Sequence, residues 1–119
     1  MMKTARLVAQ GVVVLATGCL IGSLVASAAF ADDAKQTYDK TCVPCHGAAG
    51  KGDGPAAKML KPAPQDFATA LKGKSDADIS KIIKEGGKAV GKAASMPAYG
   101  AKMSDDQIKG IVEYIKGLK

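Results

Sequence analysis

Apolar residues recur at helical spacing in three stretches of the chain, and no segment sustains the alternation of a strand. In "DDAKQTYDKTC", Ala34, Tyr38 and Cys42 fall four apart behind two leading acids, which predicts a short amphipathic helix. Val43 precedes Pro44 and is biased away from helical geometry, so this helix is expected to loosen at the cysteines. The stretch from Gly47 to Pro64 is rich in glycine and proline and reads as a loop running close along some surface. Ser75 then caps a second helix, "SDADISKIIKEGG", with Ile79, Ile82 and Ile83 on one face and Gly86 as its stop. A further loop, "KAVGKAASMPAYGAKM", leads to Ser104. With Gln107 three residues on, Ser104 forms a capping box for a last helix striped by Ile108, Ile111, Val112, Ile115 and Leu118. The pattern predicts an all-α domain of three or more short helices joined by long loops.

The first quarter of the chain follows different rules. Lys3 and Arg6 precede an uncharged run from Leu7 to Ala31 that ends in "ASAAFA", the form of a secretory leader with an A-x-A site at Ala29 to Ala31. The expected organisation is a signal peptide over 1–31 and one domain over 32–119. The apolar run is also long enough to cross a bilayer, so an uncleaved anchor is the rival reading. Lipidation at Cys19 fits less well, because more apolar chain follows it where a polar tether would be needed. All three readings carry the domain out of the cytoplasm and leave Cys42 and Cys45 as its cysteine pair.

Processing would also change the charge and expose a weak core. Of 17 basic residues, losing Lys3 and Arg6 leaves 15, all lysine, against 11 acids, a net of +4. That charge bears on partners and says nothing of fold. The 88 residues after Ala31 hold Tyr38, Phe67, Tyr99 and Tyr114 as their only aromatics, with eleven glycines and no Trp. A domain so small and so poor in bulky groups usually needs a staple or a cofactor to fill its middle.

"TCVPCHGAAGKGDGP" brings Cys42, Cys45 and His46, the only histidine, into one five-residue run. C-x-x-C-H is the attachment signature of c-type haem. Two thiols at this spacing can each add to one vinyl group of the macrocycle, and the adjacent imidazole then falls beneath the iron. A thioredoxin-like pair belongs near a β-α-β pattern, which is missing. A structural zinc site needs four ligands, and no further Cys or His remains after His46. A disulfide between Cys42 and Cys45 would close too small a loop to stabilise much. The glycine cluster lacks the Ser or Thr that a phosphate loop carries after its lysine, and no strand precedes it.

With one histidine, bis-histidine ligation is excluded, and the donors left for the far side of the iron are Met59, Met96, Met103 or a lysine. A thioether opposite imidazole favours ferrous iron and raises the potential. Met96 in "SMPAYG" is the expected ligand, since Pro97 fixes the backbone after it and small neighbours let the loop lie flat. Met103 is expected to pack under the last helix, and Met59 to fill core space.

Together with "PQDF", "SDADISKIIKEGG", "SMPAYG" and "SDDQIKGIVEYIKG", the haem motif and its glycine loop resemble a class I c-type cytochrome. The likeness is to the short monohaem bacterial type, similar to the haem domains of some terminal oxidase subunits. The resemblance spans nearly all of residues 32–119. It implies a small cytochrome c fold wrapped around one haem c bound through Cys42 and Cys45, with His46 and Met96 as axial ligands. It also implies that the carbonyl of Pro55 accepts a hydrogen bond from the His46 imidazole, and that the first and last helices cross near Tyr38 and Gly110 or Tyr114. It assigns no residue to the haem propionates, for which the domain offers no Arg or Trp.

The expected role is a periplasmic electron carrier rather than an enzyme, monomeric, exchanging electrons with redox proteins that present acidic docking surfaces. Lys88, Lys92 and Lys102 flank the Met96 segment and are the expected contributors to such docking. No nucleic-acid partner is expected, and a membrane contact only if the leader stays uncleaved. The alternative is a haem-based peroxidase or gas sensor with an open or labile sixth position, against which stands the lack of a distal His or Arg.

Overall fold

The computed structural model of the protein describes residues 22–118. Residues 1–21, which include most of the expected leader and Cys19, lie outside the described residues. Among those described, regular structure is helical throughout: α1 Gly22–Thr41, α2 Val43–His46, a 3₁₀ turn Ala57–Met59, α3 Phe67–Ala70, α4 Asp76–Ala89 and α5 Asp105–Gly117. No helix among the described residues is long and apolar enough to cross a membrane.

Helix α1 starts ten residues before the expected Asp32 and runs unbroken through Ala29 to Ala31. The sequence there holds no proline, and after Gly22 no glycine, so nothing in it stops a helix. Helix α2 is a second departure. Val43 is helical despite the proline after it, because Pro44 occupies the first turn, where its missing N–H costs no hydrogen bond.

Both long helices begin as expected. Ser75 caps α4 and is answered by the Asp78 side chain, and Ser104 caps α5 and is answered by Gln107. Regular geometry in α4 breaks at Gly86, where φ is 79°, and helical turns resume to Ala89.

The core lies where α1 and α4 pack on α5. Tyr38, Ile79, Ile83, Ile108, Ile111, Val112 and Ile115 are its buried members, with Met96, Met103 and Leu118 packed against them. Helices α1 and α5 approach closely at Gly110, where a β-carbon would touch the Ala34 side chain at 3.4 Å. The rings of Tyr38 and Tyr114 lie 5.3 Å apart beside this crossing. Met59 departs from expectation: it is 79% exposed on the 3₁₀ turn and contributes nothing to the core. The same turn buries Ala57 and is followed by Leu60 on the cavity wall, so the turn packs on the domain while the Met59 side chain meets solvent.

Candidate functional site

Beside that core lies a cavity of about 400 Å³, within the size range of small-molecule and cofactor sites. Cys42, Cys45, His46 and Met96 all line it, together with isoleucines of α4 and α5. Residues separated by fifty positions in the chain therefore face one space.

The motif's backbone is fixed from several directions. The His46 N–H donates to the Cys42 carbonyl at 2.8 Å, and the His46 carbonyl accepts from the Gly52 N–H at 2.8 Å. The loop after it folds back on the motif: Gly54 donates to the Cys45 carbonyl and Ala56 to that of Pro44. Gly54 must be glycine, since a β-carbon there would collide with the Val43 and Pro44 carbonyls.

From α1, the fully buried Tyr38 donates its hydroxyl to the Gly47 carbonyl at 2.7 Å. Burial raises the pKa of that hydroxyl above its ordinary value, so it stays a donor. Tyr38→Phe should leave the Gly47 carbonyl without this donor and cost about 1–3 kcal/mol in a denaturant titration. A loss below roughly 0.5 kcal/mol, the scale of a neutral surface change, would show that the bond contributes little.

The second wall is the Met96 loop, stitched to the end of α4. The Gly87 N–H donates to the Met96 carbonyl at 2.9 Å, Tyr99 to that of Ile83 at 2.9 Å, and Gly100 to that of Lys84 at 3.0 Å. This seating needs the Gly86–Gly87 pair. A β-carbon on Gly86 would strike the Pro97–Ala98 backbone, and one on Gly87 the Ala93 carbonyl. Met96 is thus half-buried on the cavity wall, Met103 packs against the core without lining it, and Met59 points away.

Pro55 is exposed and does not line the cavity. The His46 Nδ1 is buried with no partner. The imidazole lies against Phe67, ring centroids 4.8 Å apart and planes 28° apart, and this stacking sets its orientation. Phe67, which opens α3, has two signals in the sequence, its place at the end of "PQDF" and its being one of four aromatics after Ala31, and neither points to the imidazole.

The electrostatics suit a metal-bearing macrocycle. Burial lowers the pKa of His46, keeping the imidazole in the neutral form that ligates metals. Burial and the neighbouring Cys45 push the Cys42 thiol up to about 11, and both thiols are free. Two free thiols, a neutral imidazole with an unsatisfied nitrogen and a thioether, all lining one largely apolar cavity, fit the requirements of covalently bound haem. No group of three or more His, Cys, Asp or Glu among the described residues could hold a bare metal ion.

An all-helical domain whose C-x-x-C-H motif faces such a cavity is a c-type cytochrome of the small cytochrome c fold. Residues 29–115 match the family model described as "Cytochrome C oxidase, cbb3-type, subunit III", and the chain belongs to that family. Among solved structures, it is similar to a chain of the Kuenenia stuttgartiensis reducing HAO-like protein complex Kustc0457/Kustc0458. The TM-score is 0.62 at 27% identity, over 76% of this chain and 44% of that one. The chain thus spans less than half the length of that relative. No curated protein matches the chain.

Proposed function

We propose that the protein is a monohaem electron carrier, monomeric and working in the periplasm after cleavage behind Ala31, with His46 and Met96 as axial ligands. The observation that carries this reading is the convergence of Cys42, Cys45, His46 and Met96 on one cavity. The haem would supply one-electron exchange between ferrous and ferric iron.

The chain's own residues do the rest. Cys42 and Cys45 would hold the haem through their thiols. His46, its ring against Phe67 and its backbone tied to Gly52, would offer its imidazole to the iron. Met96, on the loop fixed to the end of α4, would offer its thioether and so exclude exogenous ligands. Ile79, Ile83, Ile111 and Ile115 would keep water from the ring.

A carrier with basic surroundings should exchange electrons quickly with a small anionic oxidant such as ferricyanide, with a rate that falls as salt rises. Stopped-flow mixing of the ferrous protein across ionic strengths measures this. Catalytic consumption of peroxide, with slow and salt-independent exchange, would replace the carrier reading with an enzymatic one.

A further inference from the structure

The haem carries two propionate carboxylates, and the apolar cavity would penalise either of them left unpaired. Among the described residues, the lysines that line the cavity are Lys74, just before α4, and Lys92, in the loop leading to Met96. The same two lysines line an adjoining groove with Asp78, Lys81, Ile82 and Val90, so they stand where the cavity adjoins the surface.

The charges around this end are unevenly committed. Asp78, the one acid in the groove, is engaged at home, since its carboxylate accepts from both the N–H and the hydroxyl of Ser75. The ion pairs among the described residues are Lys35 with Asp39, Lys84 with Asp105 and Lys116 with Asp76. Lys74, Lys81 and Lys92 take part in none of them. Three cations against one acid, Asp78, whose charge Lys74 and Lys81 already feel, leave this end with a net positive charge. The other titratable groups on the cavity wall, Tyr38, Cys42, Cys45, His46 and Tyr99, do not enter the groove.

We propose that Lys74 and Lys92 bind the two haem propionates, with Lys81 adding positive potential from the groove. The assignment rests on the haem reading above. It supplies the carboxylate partners that a domain without Arg or Trp otherwise lacks. The long lysine stems can cover the apolar ring edge while their ammonium groups meet the carboxylates at the opening. The same charges act on the iron, since nearby cations disfavour the ferric state.

Reduction potential measured against pH on the haem-loaded protein tests this. The variants are Lys74→Gln with Lys92→Gln, the same two positions as Arg, and Lys58→Gln with Lys109→Gln as a charge-matched control on exposed lysines outside cavity and groove. In the first, the potential should fall. The pH at which it begins to climb on acidification should also move up by about one unit, because carboxylates without cations protonate more readily. The arginine pair, which can hold a carboxylate and does not ligate iron, should keep the wild-type profile, and so should the control. Each single glutamine variant should show the same change at smaller size, so the test survives poor accumulation of the double variant.

A glutamine pair with the wild-type profile, or with a change matched by the control, overturns the assignment. Failure of arginine to restore the profile does so as well. Absence of covalent haem from the wild-type protein would instead overturn the haem reading beneath it.

Discussion

With Cys42 and Cys45 both replaced by serine, the chain exported by a haem-maturing host should carry no covalent haem and should lose most of its helical signal. The reason is the size of the space beside the core. Seven buried residues form the main cluster, and the cavity beside it measures about 400 Å³. Without the haem, the apolar residues that line this space, Ile79, Ile83, Ile111 and Ile115 among them, would face water in place of a ring. A domain of this length is worth roughly 4–13 kcal/mol in total. So small a margin makes the packing of α1 and α4 on α5 sensitive to that exposure. Haem staining of a denaturing gel and far-UV circular dichroism read the two losses separately. A variant that keeps full helicity without haem would show that the isoleucine cluster suffices alone.

Met96→Ala should leave the domain folded and the haem attached while changing the iron. The loop that carries Met96 is held by backbone bonds from Gly87, Tyr99 and Gly100, none of which depends on the thioether. On the proposed ligation, only the axial donor is removed. Loss of a ligand that favours ferrous iron should lower the potential on the order of 0.2 V, a fraction of the roughly 0.8 V that axial ligation spans. The ferrous protein should then bind carbon monoxide at once. Potentiometry and a carbon monoxide titration check both. An unchanged potential would place the sixth ligand elsewhere, with the cavity lysines the next candidates.

Local rules made part of this structure legible from sequence. Ser75 and Ser104 cap α4 and α5 because a hydroxyl ahead of a helical stripe can satisfy its first N–H groups, whatever lies around it. The same holds for the isoleucines of α5 and for Cys42, Cys45 and His46, whose spacing is itself the chemical requirement. Pro97 and its small neighbours single out Met96 in the sequence, and the structure sets it on the cavity wall through Gly86 and Gly87, on another element.

What was not legible depends on contacts distant in sequence. Phe67 stacks on His46 only because its N–H is tied to the Gly50 carbonyl across the glycine loop. Met59 looked like core material by type, yet its turn places it in solvent. Gly54 and Ala56, which flank Pro55, bind the backbone of the motif, and no local pattern in the sequence announces those bonds. Lys74 and Lys92 are two of many lysines along the chain until the fold sets them on one cavity.

The most direct test of a six-coordinate haem held by His46 and Met96 is the absorption spectrum of the exported, purified protein, oxidised and reduced, before and after carbon monoxide. The account predicts covalent haem, a low-spin reduced spectrum, no response to carbon monoxide, and a methionine-to-ferric-iron charge-transfer band that disappears in Met96→Ala. A high-spin spectrum that shifts promptly with carbon monoxide would mean an open iron, and would contradict it.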